Sequence, residues 1–257
     1  MKNLFNVIAI TIAIAIAFAF YFIVMGNPSN FADAAKHEPV NVLGMIYTGG
    51  PLVALLISFL IMAITFTVER FLSINKAKGK GNPVAFIRTV IKNLENDNLD
   101  AALAECDKQR GSIANVLRAA ISRFKEVKDD ENYGPEKKIS EVQRAIDEAM
   151  NLETPLLEKN LVILSTVASI ATMVGLLGTT IGMIRAFAAL AQSGTVSAIQ
   201  LSIGISEALY NTAGGLAAAI ISIVAYNFFT TKVDNFVYMI DEAILNITQI
   251  FTIKTKK

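Results

Sequence analysis

Two long uncharged runs set the pattern of the chain. No charged residue occurs from Asn160 to Ile184, and none from Ala208 to Thr231. Each run is about 24 residues, against the roughly 20 that a helix needs to cross a hydrocarbon core of about 30 Å. Between them lie Arg185, the polar stretch Gln192 to Gln200, and Glu207. The pattern predicts two membrane helices joined by a short loop, a hairpin over Leu161 to Phe229. An antiparallel pair folded near Ser197 places Arg185 level with Glu207, and Thr179 level with Thr212. The threonines then lie about 8 Å deeper than the charges, at about 1.5 Å per helical residue.

Two further apolar runs precede the hairpin. Leu4 to Met25 follows Lys2. Its length of about 22 residues exceeds the 7–15 of a signal-peptide core, so a retained membrane helix is favoured, although Ala32-Asp33-Ala34 is a passable cleavage site. Ile and Ala alternate along Ile8 to Ala19, but length and the lack of breakers decide for a helix. The second run, Val42 to Val68, is closed by Glu69-Arg70 and then Lys76, Lys78 and Lys80. Gly49, Gly50 and Pro51 near its start mark either a kink or the true helix start. Lysines beside a membrane argue for the cytoplasmic side. Lys2, Lys232, Lys254, Lys256 and Lys257 then share that side, which gives four spans with both termini inside.

Asn82 to Pro155 is the one sizeable polar segment, and it carries helical spacing at Val84, Ile87, Ile91 and Leu94, then at Leu99, Leu103 and Cys106. Asn98 or Asp97 can cap the second of these helices and Gly111 can end it. Ser112 can cap a third, Ile113 to Val127, and Pro135 suits the first turn of a fourth, on which Ile139, Val142, Ile146 and Met150 run towards the third span. Such a segment has a weak core of its own, so it is expected to pack against continuations of the membrane helices. Lys232 to Phe251 reads as amphipathic, with Phe236, Ile240, Ile244, Ile247 and Phe251 on one stripe. It either covers the inner domain, the favoured reading, or lies on the membrane surface.

The predicted layout is therefore all-α. Residues 1–41 form an N-terminal transmembrane helix and outer loop, and 42–69 a second transmembrane helix. A cytoplasmic helical domain occupies 70–157, the transmembrane hairpin 158–231, and a C-terminal cytoplasmic helix 232–257. Composition agrees: 53% of the 257 residues are hydrophobic and 18% charged, and mean hydropathy is +0.50. That is too apolar for a soluble domain of this size and makes lipid a partner. A net charge of +1 gives no sign of nucleic-acid binding, and one cysteine allows no intrachain disulfide. The lone histidine, His37, reads as a solvated loop residue, and it is the only one on which a Ser-His-Asp triad can be built. No His/Cys cluster suits zinc, and no cofactor or metal is expected. Cys106 reads as a small buried apolar residue.

The candidate chemistry lies in the hairpin. An acid within an apolar span is costly and by default functional. Glu207 is either part of an ion path or an interfacial partner of Arg185, and the two are compatible. Thr179, Thr180 and Thr212 either line a wet pore or bond the i−4 carbonyls of their own helices. Asn211 joins them as a candidate pore-lining group. Gly178-x-x-x-Gly182 and the row Gly204, Ala208, Thr212, with Gly175, Gly214 and Gly215, allow close helix approach.

At these residues the sequence resembles the ExbB/TolQ/MotA family of bacterial ion-driven motor subunits. Leu164 to Phe187 is similar to the family's second core helix, and Ile205 to Leu216 to its third. Glu69-Arg70 and Asp100-Ala-Ala-Leu-Ala-Glu-Cys106 also fit. The resemblance covers roughly Leu43 to Phe229 and favours the ExbB/TolQ branch. It implies a pentamer in the bacterial inner membrane around the helices of two ExbD-like single-span subunits, each with a membrane aspartate. Proton flow would do work passed on through a TonB-like protein to outer-membrane receptors. It also implies that the hydroxyls of Thr179 and Thr212 face the central pore, with Glu207 the motif's acid. The chain departs from the family in its extra helix, Leu4 to Met25, and in Thr172, where the family often has proline. The competing readings are a TolQ-like subunit for envelope maintenance and a passive membrane scaffold without an ion path. A membrane enzyme comes last, since no nucleophile–base pair is visible.

Overall fold

The computed structural model describes residues 2–33, 38–192 and 198–255. His37, Ala34, the loop centre 193–197 and the lysines 256 and 257 lie outside the described residues. The described residues form nine α-helices, numbered in chain order: α1 Lys2–Ala19, α2 Val42–Tyr47, α3 Pro51–Ala77, α4 Pro83–Glu95, α5 Leu99–Gln109, α6 Ser112–Val127, α7 Pro135–Glu158, α8 Leu161–Gln192 and α9 Ala198–Thr255. Among them the sole β feature is an isolated bridge between Phe31 and Pro39. The fold is all-α, and four helical stretches are long and apolar enough to cross a membrane.

The chain divides into two compact units. The first comprises residues 1–69 and 160–227, the second 70–159 and 228–257. In the first unit α1 buries a narrow face of small residues, Ala13 and Ala17, followed by Tyr21 and Met25, and leaves Val7, Ile12, Ile16 and Ile23 exposed. It continues as a π-helical turn, Phe20–Met25. Asn30 serves the end of that turn: its Nδ2 donates to the carbonyls of Val24 and Met25, 2.8 Å each. Tyr21 and Met25 pack with Val53 and Ala54 of α3, beside Leu43, Ile46 and Tyr47 of α2.

The span expected over residues 42–69 is broken near its start. α2 ends at Tyr47 and α3 begins at Pro51. Proline inside a helix lacks an N–H and clashes with the carbonyl four residues back, here Tyr47. Gly50 supplies the φ of +78° that turns the chain, a region glycine enters without strain. The Gly-Gly-Pro stretch is thus the true helix start. α8 runs unbroken through Thr172, whose hydroxyl donates to Ala168 O at 3.1 Å.

The second unit takes its core from α4–α7 and from the last part of α9. Val90, Leu94, Ala102, Val116, Leu117, Ala120 and Ile121 are fully buried, as are Val142, Ile240, Ile247 and Phe251. Phe124 and Phe251 stack with ring centroids 4.0 Å apart. The amphipathic stripe of residues 232–251 therefore covers this unit, and no break separates it from the rest of α9. Asn98 caps α5 as expected, and Asn82 caps α4 in addition. Asn82 and Asn98 accept from Val84 N and Ala101 N. Ser112 is not a cap: it is the first residue of α6, behind Gly111 at φ +83°. Asp97 and Arg110 also take positive φ, at 62° and 55°.

Candidate functional site

Helices α8 and α9 meet along a seam of small residues, and the seam is what brings the polar groups together. A Cβ added at Gly182 would lie 2.7 Å from both Ala208 N and Gly204 O, and one at Gly215 would lie 2.5 Å from Ala171 O and 2.9 Å from Gly175 Cα. At Gly175 the nearest atoms, Asn211 O and Gly215 Cα, would be 3.2 Å away, and Gly178 abuts the Asn211 side chain. Only glycine admits backbones this close, and in lipid such packing supplies much of the attraction between helices. Gly214 differs from the expectation. It faces Leu56 at an ordinary 3.5 Å, so it plays no part in the seam.

Within the seam the hydroxyls of Thr179 and Thr212 are hydrogen-bonded to each other. Thr179 Oγ1 also lies 3.3 Å from Gly175 O, while Thr212 Oγ1 lies 3.3 Å from Gly175 O and 3.2 Å from Ala208 O. Each threonine thus reaches its own i−4 carbonyl, the second of the two expectations, and each also reaches the other. A hydroxyl donates one proton and accepts on two lone pairs, so the pair can hold its protons in more than one arrangement. Thr180 does not join it. Its exposed hydroxyl donates to Leu177 O at 2.7 Å.

Arg185 and Glu207 form an ion pair between α8 and α9. The pair is lopsided: the Glu207 side chain is 7% exposed and the Arg185 side chain 58%. Asn211, the other candidate pore-lining group, sits inside the chain. It is completely buried, and its Nδ2 donates to Gly49 O at 2.7 Å and to Glu207 O at 2.9 Å. It therefore ties α9 to the turn before α3. The signal for this was the Gly-Gly-Pro stretch, which the sequence reading tied only to the start of α3.

Two further polar groups escaped the sequence. Asn160, at φ +64° between α7 and α8, accepts from Asn6 Nδ2 at 2.7 Å and donates to a Glu69 carboxylate oxygen at 3.0 Å. In the second unit Arg70 is 1% exposed and donates to Leu157 O at 3.2 Å, near the C-terminal end of α7. Cys106 is buried, and burial beside Asp107 pushes its thiol up to about 12. Among the described residues no group of His, Cys, Asp or Glu is arranged to hold a metal ion.

The model of the MotA/TolQ/ExbB proton channel family matches residues 96–242. The chain belongs to this family. Its curated relatives include the Tol-Pal system protein TolQ of Haemophilus influenzae, 41% identical over 114 residues, 44% of this chain and 49% of the relative. TolQ of Pseudomonas aeruginosa is 34% identical over 120 residues, 47% of this chain and 52% of the relative. The biopolymer transport protein ExbB of Aquifex aeolicus is 44% identical over 77 residues, 30% of this chain and 52% of the relative. The chain spans about half the length of these relatives. As a MotA/TolQ/ExbB chain with four candidate spans, the protein is a multi-pass membrane protein of a proton-channel family. The matched span contains Thr179, Arg185, Glu207 and Thr212.

Proposed function

We propose that the chain is an ExbB-like subunit of an inner-membrane, proton-driven motor that energises TonB-dependent transport across an outer membrane. It assembles as a homopentamer around an ExbD-like single-span partner carrying a membrane aspartate, with both termini cytoplasmic, and passes work to a TonB-like protein. The observation that carries the reading is the Thr179–Thr212 hydroxyl pair inside the α8–α9 seam. Hydroxyls hold water and relay protons without carrying charge themselves, which suits a wall around a titrating partner carboxylate. Glu207, held by Arg185, supplies the charge layer five or six residues away along each helix. A TolQ-like role in envelope maintenance is the second reading, favoured by the two TolQ relatives.

The deciding experiment is to purify the tagged full-length chain from its native membrane and weigh the intact complex. Five copies with two of a small single-span protein bearing a membrane aspartate support the motor. The neighbouring partner that co-purifies, TonB-like or Tol-type, separates the two roles. Thr179→Val and Thr212→Val in that complex are expected to abolish proton-dependent transport while the complex still assembles. Undiminished transport in both variants removes the hydroxyl pair from the mechanism. A homo-oligomer without such a partner leaves a passive scaffold.

A further inference from the structure

Helix α1 supplies neither member of the hydroxyl pair nor of the ion pair, yet specific polar contacts fix it in place. Tyr21, 3% exposed, stacks on Tyr47 with ring centroids 4.6 Å apart and planes 19° from parallel. Its hydroxyl donates to Tyr47 O at 3.0 Å. Beyond it, Asn30 closes the π-helical turn and accepts at Oδ1 from Asn41, 2.9 Å. Asn41 is in turn the N-cap of α2, accepting from Gly44 N. Helix α2 and its final turn are thus held at both ends to the π-helical turn that continues α1.

That final turn is Tyr47 to Gly50. It is closed by Gly50 N–H to Tyr47 O at 3.1 Å and by Gly49 N–H to Ile46 O at 3.0 Å. Helix α9 grips it from the other side through Asn211 to Gly49 O. The turn ends directly on the acid: a Cβ at Gly50 would lie 2.8 Å from Glu207 Oε1 and 3.8 Å from Arg185 Nη1. The Glu207 carboxylate therefore rests against a bare Cα. With the Arg185 side chain 58% exposed, the turn is a packed wall set directly against the acid.

We propose that Tyr21 and Asn211 are positioning residues for Glu207, acting through the Tyr47–Gly50 turn, so that the additional N-terminal helix holds the wall over the acid. The inference goes beyond the motor reading and rests on it only in taking Glu207 as a working group. Loss of either grip frees the turn and opens the carboxylate. A buried hydrogen bond of ordinary strength changes the population of the opened turn by about fivefold.

The test uses the full-length chain in lipid nanodiscs and dicyclohexylcarbodiimide, which reacts with protonated carboxyls reached from an apolar phase. Adducts at Glu207 and at Glu69, in the same unit, are quantified by mass spectrometry across pH. Tyr21→Phe and Asn211→Ala are each expected to raise the labelling rate of Glu207 by about fivefold and to leave Glu69 unchanged. Glu207 labelling in Tyr21→Phe equal to that of the unaltered chain overturns the proposal. So does a parallel rise at Glu69, which would mean general loosening. Tyr21→Phe keeps the ring and its stack, so it decides alone if Asn211→Ala does not fold. The readout needs no partner or proton flux, so failure of the motor reading leaves the result interpretable.

Discussion

Replacing Gly182 by alanine tests the α8–α9 seam most directly. The new methyl carbon would sit 2.7 Å from Ala208 N and Gly204 O and 2.9 Å from Ala208 Cβ. Non-bonded carbon contacts are comfortable at about 3.5–4.0 Å, so the helices must part by about 1 Å. Two of the three obstructing atoms are backbone, and no rotamer relieves them. Overpacking of this kind costs about 1–3 kcal/mol. The separation also strains the Thr179–Thr212 hydrogen bond, worth about 1 kcal/mol. Against this, alanine gains about 1 kcal/mol over glycine in a helix. The net loss is about 2 kcal/mol, which for a chain of this size lowers the thermal midpoint by about 4–8 °C. Gly214→Ala is the matched control. Its methyl meets only Leu56 at an ordinary 3.5 Å, so the helix-propensity gain remains and the midpoint rises by up to about 4 °C. Both midpoints are read by thermal unfolding in one detergent. If Gly182→Ala melts with or above Gly214→Ala, the helices do not approach closely at Gly182.

Arg185→Met leaves Glu207 buried without its cation. Because the arginine side chain is more than half exposed, the expected loss lies between the surface and buried limits, about 1–3 kcal/mol. Glu207→Gln in the same background should recover part of it, and a double-variant cycle of thermal midpoints that shows no coupling refutes the pair. The Cys106 thiol, pushed up to about 12, should resist maleimide at pH 8 in the folded chain and react on denaturation; rapid native labelling contradicts its burial. Asp97 and Glu141 are held below the usual carboxylate range by hydrogen bonds from Lys254 and Arg123. The folded state then binds fewer protons than the unfolded one. Their stabilisation is present at neutral pH and fades as pH falls below about 4. Asp97 is exposed and Glu141 partly so, so the effect is small, shrinks with added salt, and shows as a flatter acid limb of the thermal midpoint in Glu141→Gln; an identical limb would count against it.

The apolar runs made the membrane helices legible, because a span must satisfy its backbone internally and so needs length more than pattern. Equal spacing about the loop also put Thr179 opposite Thr212, and Arg185 opposite Glu207. What the sequence concealed were contacts made across large separations. Asn211 read as pore-lining because it sits beside Thr212. One residue around a helix is 100° of rotation, and that rotation turns it from the hydroxyl pair towards Gly178 and the Gly49 carbonyl. Gly214 and Gly215 are neighbours in the same way, and only Gly215 faces α8. The break at Gly50 and Pro51 was visible, but not that Glu207 would lie against it. Arg70 looked like a basic stop after a span, yet it is 1% exposed. No local pattern announces a carbonyl 87 residues away.

The bond between Thr179 and Thr212 joins two identical groups, and either oxygen can serve as the donor. Exchange the roles and the same bond points the other way, with no change in the atoms involved. The bond as such therefore has no built-in arrow. What can favour one sense over the other is the unequal surroundings of the two oxygens, one carbonyl within reach of Thr179 Oγ1 and two within reach of Thr212 Oγ1.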